Sequence, residues 1–130
     1  MTSFSPRARA IIMLERQLRK EEAKFGPEHS NVGLTLAKIG KAWLAAAEVE
    51  RALEQLERAR VISESVAAAS GDAHLIARFA GVLDDLIVAY GQVGDALKVS
   101  ELTVQVEQAR ASLQELAPGD RRANNDTEFV

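Results

Sequence analysis

The chain holds two histidines, His29 and His74, and no cysteine. Histidine is the side chain best suited to trade protons near neutral pH or to hold a transition metal, so a converging pair would be the simplest catalytic or metal-binding device here. Each lies in a similar stretch. Phe25-Gly26-Pro27-Glu28-His29 returns, 45 residues on, as Ser70-Gly71-Asp72-Ala73-His74. Equivalent places in successive units hold the two rings about one unit apart. They are therefore read as capping or buttressing helix starts. Without cysteine there is no disulfide, thiolate metal site or redox role. The sequence also lacks a phosphate-cradling glycine loop, a His-Glu zinc pair on a helix and a nucleophile turn. No catalytic residue, cofactor or metal is expected.

A second set of residues points to recognition. Lys38, Lys41, Asp84, Asp85 and Gln92 are polar positions on otherwise apolar helical stretches. A helix buried on most sides keeps charge where a groove admits water. Together with Ala37 and Val88 they form a candidate groove, with one basic and one acidic patch suited to an extended or helical segment of mixed charge. The other reading pairs Lys with Asp across adjacent helices. Both readings stay open on the sequence.

Five helices must position these residues. Ser5-Pro6 is an N-cap followed by proline at the first helical position, and Gly26-Pro27 stops the helix, giving 6–25. Its apolar stripe is Ile11, Leu14, Leu18 and Phe25, with Glu15 and Arg19 as an i,i+4 pair. The next helices are expected at 31–46, 48–69, 73–92 and 96–116. The third shows Val49, Ala52, Leu56, Ala59 and Val66 inward, with Glu54 and Arg58 on its wet side. Gly94-Asp95 is a stop and a fresh cap. Pro118-Gly119 closes the fifth helix, and 118–130 reads as a mobile tail. The second and fourth helices are apolar on nearly all sides, while the first, third and fifth are one-sided. That alternation, with a 47-residue offset between Trp43 and Tyr90, predicts an all-α array of antiparallel helix hairpins spanning 1–117.

Within each unit the residue order resembles the tetratricopeptide repeat, in the longer variant seen in kinesin light chains. In the first unit Leu36, Ile39-Gly40, Trp43, Ala52, Leu56 and Ala59 fall at that repeat's spacings. In the second, Leu83, Leu86-Ile87, Tyr90, Gly94, Val99 and Val106 take the equivalent places. The turn Phe25-Gly26-Pro27-Glu28-His29 is similar to the Leu-Gly-Pro-Asp-His turn of the variant. The resemblance implies about two and a half repeats in a short right-handed superhelix. It makes Leu36, Ile39, Gly40, Trp43, Ala52, Leu56, Ala59, Leu83, Leu86, Tyr90, Val99 and Val106 core. Gly40 and Ala52 would let paired helices approach, and Trp43 would fill the space between them. The chain departs from the family at Ala45-Ala46-Ala47, which lacks the usual turn glycine, and at Ile87 and Val99, which are bulkier than usual. Ala37-Lys38 and Asp84-Asp85 stand where the variant places Asn.

Charge and composition narrow the partners. A net charge of −3 is not that of a nucleic-acid binder, and no apolar run approaches the ~20 residues of a membrane span. The expectation is a non-catalytic module that binds a protein or peptide segment in the groove. A cytoplasmic setting is the default; organellar import is the alternative, suggested by Arg7 and Arg9 in an acid-free opening. The functional alternative is a structural subunit or self-associating scaffold component. Leu97 and Val104 lie outside the main stripe of the fifth helix, so a homo-oligomer through the end helices belongs to that alternative.

Overall fold

A computed structural model describes residues 5–125, which form five α-helices. They are α1 (Pro6–Phe25), α2 (Ser30–Ala45), α3 (Val49–Ser70), α4 (Ala73–Gln92) and α5 (Ala96–Asn125). Local signals set most of the boundaries. Ser5 Oγ accepts from the Ala8 amide at 3.1 Å and Pro6 opens α1. His29 caps α2, its Nδ1 accepting from the Asn31 amide at 3.0 Å. Asp72 caps α4 through Oδ1, which accepts from the His74 amide at 2.8 Å.

One boundary differs from the expectation by more than a residue. α5 does not end near 116 but runs through Pro118-Gly119 to Asn125. Proline withholds one backbone donor and crowds one carbonyl. The Asp120-Arg121-Arg122-Ala123 stretch beyond it includes good helix formers that carry the helix on. Residues 126–130, the rest of the expected tail, lie outside the described residues.

Neighbouring helices run antiparallel. A Cβ on Gly33 would meet Ile62, and one on Gly40 would meet Leu56, so α3 descends as α2 rises. Glu57 with Tyr90, and Ser63 facing Leu75, give the same sense for α3 and α4. Asp84 with Arg110 and Tyr90 with Lys98 give it for α4 and α5. Each helix packs on the next in sequence, and α2 also touches α4. Among the described residues α1 and α5 do not meet, so the helices form an open row of hairpins, with α2 and α4 in the middle, rather than a closed bundle.

The core follows from that order. Val32, Leu36 and Ile39 of α2, Leu56 and Ala59 of α3, and Leu83 and Leu86 of α4 are buried, and Val106 closes the row from α5. Full burial of a leucine stabilises the fold by roughly 1.5–3 kcal/mol. The glycines at 33 and 40 let α2 approach α3. A Cβ at Gly40 would lie 2.5 Å from Leu56 Cγ, and one at Gly33 would lie 2.8 Å from Ile62 Cγ2. Gly40 makes the close helix approach expected of it, whereas the same role at Gly33 is not visible in the sequence.

One turn occurs twice at the 47-residue offset. The Glu48 amide donates to the Trp43 carbonyl at 2.9 Å, and the Asp95 amide to the Tyr90 carbonyl at 3.0 Å. Between them Ala47 has φ +62° and Gly94 has φ +76°. The paired amide–carbonyl closure with a left-handed residue is a helix C-terminal motif. Downstream, Arg51 lies over the Trp43 ring at 4.9 Å and Lys98 over the Tyr90 ring at 5.8 Å, again 47 residues apart.

Candidate interaction face on α2 and α4

The expected groove residues fall on the two central helices but do not form two opposed charge patches. Lys41 Nζ lies 3.1 Å from Asp85 Oδ1, joining α2 to α4. Asp84 turns the other way and pairs with Arg110 of α5. Both acids are thus committed within the chain, the local form of the cross-helix pairing that the sequence left open. The physical reason is length: a lysine on α2 and an arginine on α5 both reach α4, and a half-buried carboxylate recruits whichever cation arrives. Lys38 is exposed and pairs with no acid among the described residues.

The remaining surface is shallow and mostly uncharged. Val88 is 50% exposed. Gly91 lies one turn beyond it and Gly81 two turns before it, and at neither would a Cβ meet anything within 4 Å. Gln92 is exposed, while Ala37 is half-buried on α2. An isolated valine on a surface is ordinary. Here it stands on a helix whose backbone is uncovered at both of those levels, and α2, which touches α4, carries the exposed Lys38. This arrangement can hold an apolar side chain and a carboxylate of a partner.

Three core expectations need correction. Trp43 and Tyr90 are half-buried rather than interior, although both pack against the core. Each ring offers a face to a cation of the following helix, which keeps that side near solvent. The Tyr90 hydroxyl needs a polar partner and donates to Glu57 Oε2 at 2.6 Å. Val99 is likewise half-buried, where interior packing was expected. It lies in the first turn of α5, the end helix of the row, where one side has no further helix to cover it.

The Glu57–Tyr90 contact carries the resolved titration shifts. Burial opposes charge on Glu57, but the Tyr90 hydroxyl and the Arg60 guanidinium, whose Nε donates at 2.8 Å, more than offset it, so the carboxyl titrates below its ordinary value. Burial and then the hydrogen bond to Glu57 push the Tyr90 phenol up to about 12.

Beside Trp43 lies a feature the sequence did not reveal. Arg7, Ile11 and Glu15 of α1, Trp43 of α2, and Glu48 and Arg51 at the start of α3 line an open cavity of about 380 Å³. Three segments distant in sequence meet there, so no local pattern could signal it. One expected surface pair also fails to form: Glu15 faces this cavity instead of meeting Arg19, while Arg58, on the wet side of α3, pairs with Glu22 of α1.

The histidines do not act as a pair. His29 stacks on Phe25, centroids 4.4 Å apart, and caps α2, whereas His74 sits in the first turn of α4 with Arg78 within 3.2 Å. No cluster of three His, Cys, Asp or Glu side chains suited to a metal occurs among the described residues. No described helix is long and apolar enough to cross a membrane. Comparison with known proteins finds no matching family model, no matching curated protein and no matching solved structure.

Proposed function

We propose that this chain is a non-catalytic protein-interaction module that takes a partner's segment along the outward faces of α2 and α4. The observation that carries the reading is Val88, half exposed between two glycines that leave the α4 backbone uncovered. A helix or extended strand laid there would bury Val88 and approach the backbone at both glycines, and a partner carboxylate would meet Lys38. The face is nearly neutral apart from Lys38, so recognition rests on apolar contact with one charge to set register.

The reading includes kinship with tetratricopeptide repeats of the light-chain type, stacked as a short superhelix. What supports it is the doubled turn: the same amide–carbonyl closure, left-handed residue and cation-on-aromatic contact, 47 residues apart. The cytoplasm is the compartment this reading assumes. Photo-crosslinking from position 88 tests it. Adducts with a partner are expected there, and not from Glu54 on the outward face of α3.

A second reading, a structural subunit that assembles through its ends, is favoured by one observation. Leu97 and Val104 of α5 are 71% and 52% exposed on the end helix of the row.

A further inference from the structure

The two end helices carry opposite charge on their outward faces. α1 holds six basic and three acidic residues in a chain whose net charge is −3. Its three acids all turn inward. Glu15 lines the cavity beside Trp43, Glu21 accepts from the buried Thr35 hydroxyl, and Glu22 pairs with Arg58. The outward stripe is left with Arg9, Met13, Arg16 and Lys20, at spacings of four, three and four, which share one face of a helix. All four are exposed, and their cations form no ion pair among the described residues.

α5 is the reverse. Up to Leu116 it has two cations, and both are committed. Arg110 pairs with Asp84, and Lys98 lies over the Tyr90 ring and near Glu101. Its outward side shows Leu97 and Val104, flanked by the exposed acids Glu107 and Glu115. Each end thus has an apolar centre, Met13 on one and Leu97 with Val104 on the other, bordered by charge of opposite sign. Neither face complements itself: α1 against α1 sets arginine on arginine, and α5 against α5 sets glutamate on glutamate.

We propose that copies of this chain associate head to tail, the acidic and apolar face of α5 in one copy docking on the basic face of α1 in the next. The inference rests on the second reading above and is independent of the face on α2 and α4. A contact between different patches repeats along a row and closes only if the rotation per copy allows a ring. One helix face per partner is a smaller contact than the ~1,200–2,000 Å² of stable complexes, so the association is weak and concentration-dependent. Charge at its rim makes it salt-sensitive.

Sedimentation velocity on the whole chain, from low micromolar to about half a millimolar and at low and high salt, tests this. The wild type is expected to show a rising weight-average mass that falls back with salt. Arg16→Glu with Lys20→Glu, and separately Glu107→Lys with Glu115→Lys, should each weaken association about tenfold or more. All four sites are exposed, and circular dichroism checks that the variants stay folded. Mixing the two variants should restore association, because each then offers the face the other needs. Association that survives the α1 variant overturns the head-to-tail arrangement while leaving self-assembly standing. A wild type that stays monomeric throughout overturns the inference and removes self-assembly from the second reading. Binding of the α1 face to phosphatidylserine vesicles or to duplex DNA by a monomeric wild type also overturns it.

Discussion

Ala47 holds a φ of +62° in the turn where its counterpart, 47 residues later, is Gly94 at φ +76°. The flanking hydrogen bonds are the same, so the two positions ask the same of the backbone. An L-residue in the left-handed region pays about 1 kcal/mol that glycine does not. Ala47→Gly is therefore expected to raise unfolding free energy by up to about 1 kcal/mol, read as a higher denaturation midpoint in urea. A lower midpoint would mean that the turn gains more from the alanine methyl than it loses in strain.

The helical glycines should divide by what surrounds them. A methyl group at Gly33 or Gly40 runs into Ile62 or Leu56. Gly40→Ala and Gly33→Ala are each expected to destabilise by about 1–3 kcal/mol through overpacking. Gly81 and Gly91 face open space, so alanine there should stabilise by about 0.5–1 kcal/mol through helix propensity. The same chemical denaturation series measures all four, and a uniform sign across them would contradict the packing described.

Stability should depend on pH at both extremes through one hydrogen bond. The Glu57 carboxyl is lowered from 4.5 in the fold, so its contribution is present above that value and is lost as pH falls through the lowered folded value. Tyr90 is raised from 10.0 to about 12, so its contribution is full below pH 10 and is lost as pH climbs towards 12. After allowance for solvent screening, the alkaline loss amounts to about 1 kcal/mol. Tyr90→Phe should cost about 1 kcal/mol at neutral pH and flatten the alkaline limb, as thermal melts across pH would show.

The Lys41–Asp85 pair should matter little to folding. Its lysine is 68% exposed and its aspartate 17% exposed. A double-mutant cycle with Lys41→Met and Asp85→Asn is expected to give a coupling under about 1 kcal/mol that shrinks with salt. A coupling several times larger would mean that the bridge, more than apolar packing, joins α2 to α4.

Most of the frame is legible in the sequence because it is set locally. Ser5-Pro6, Gly26-Pro27, Asp72 and Gly94-Asp95 each act within one turn of chain, and the buried residues Leu36, Leu56, Leu83 and Leu86 follow helical periodicity. What is not legible depends on which helix a long side chain reaches. Arg58 finds Glu22 of α1, and Asp84 finds Arg110 rather than a lysine of α2. The half-buried state of Trp43 and Tyr90 depends on cations arriving from the next helix, Arg51 and Lys98. The packing role of Gly33 emerges only with Ile62 of α3 set against it.

The central claim is that partners dock over Val88, between α2 and α4. A photo-crosslinking amino acid at position 88, introduced into the full chain in its own cells, tests this most directly. Position 54 serves as the control, and adducts are identified by mass spectrometry. The account predicts a discrete adduct from position 88 that diminishes with Lys38→Glu, and none from position 54. Adducts from position 54 with none from 88, in protein shown to be folded, would contradict it.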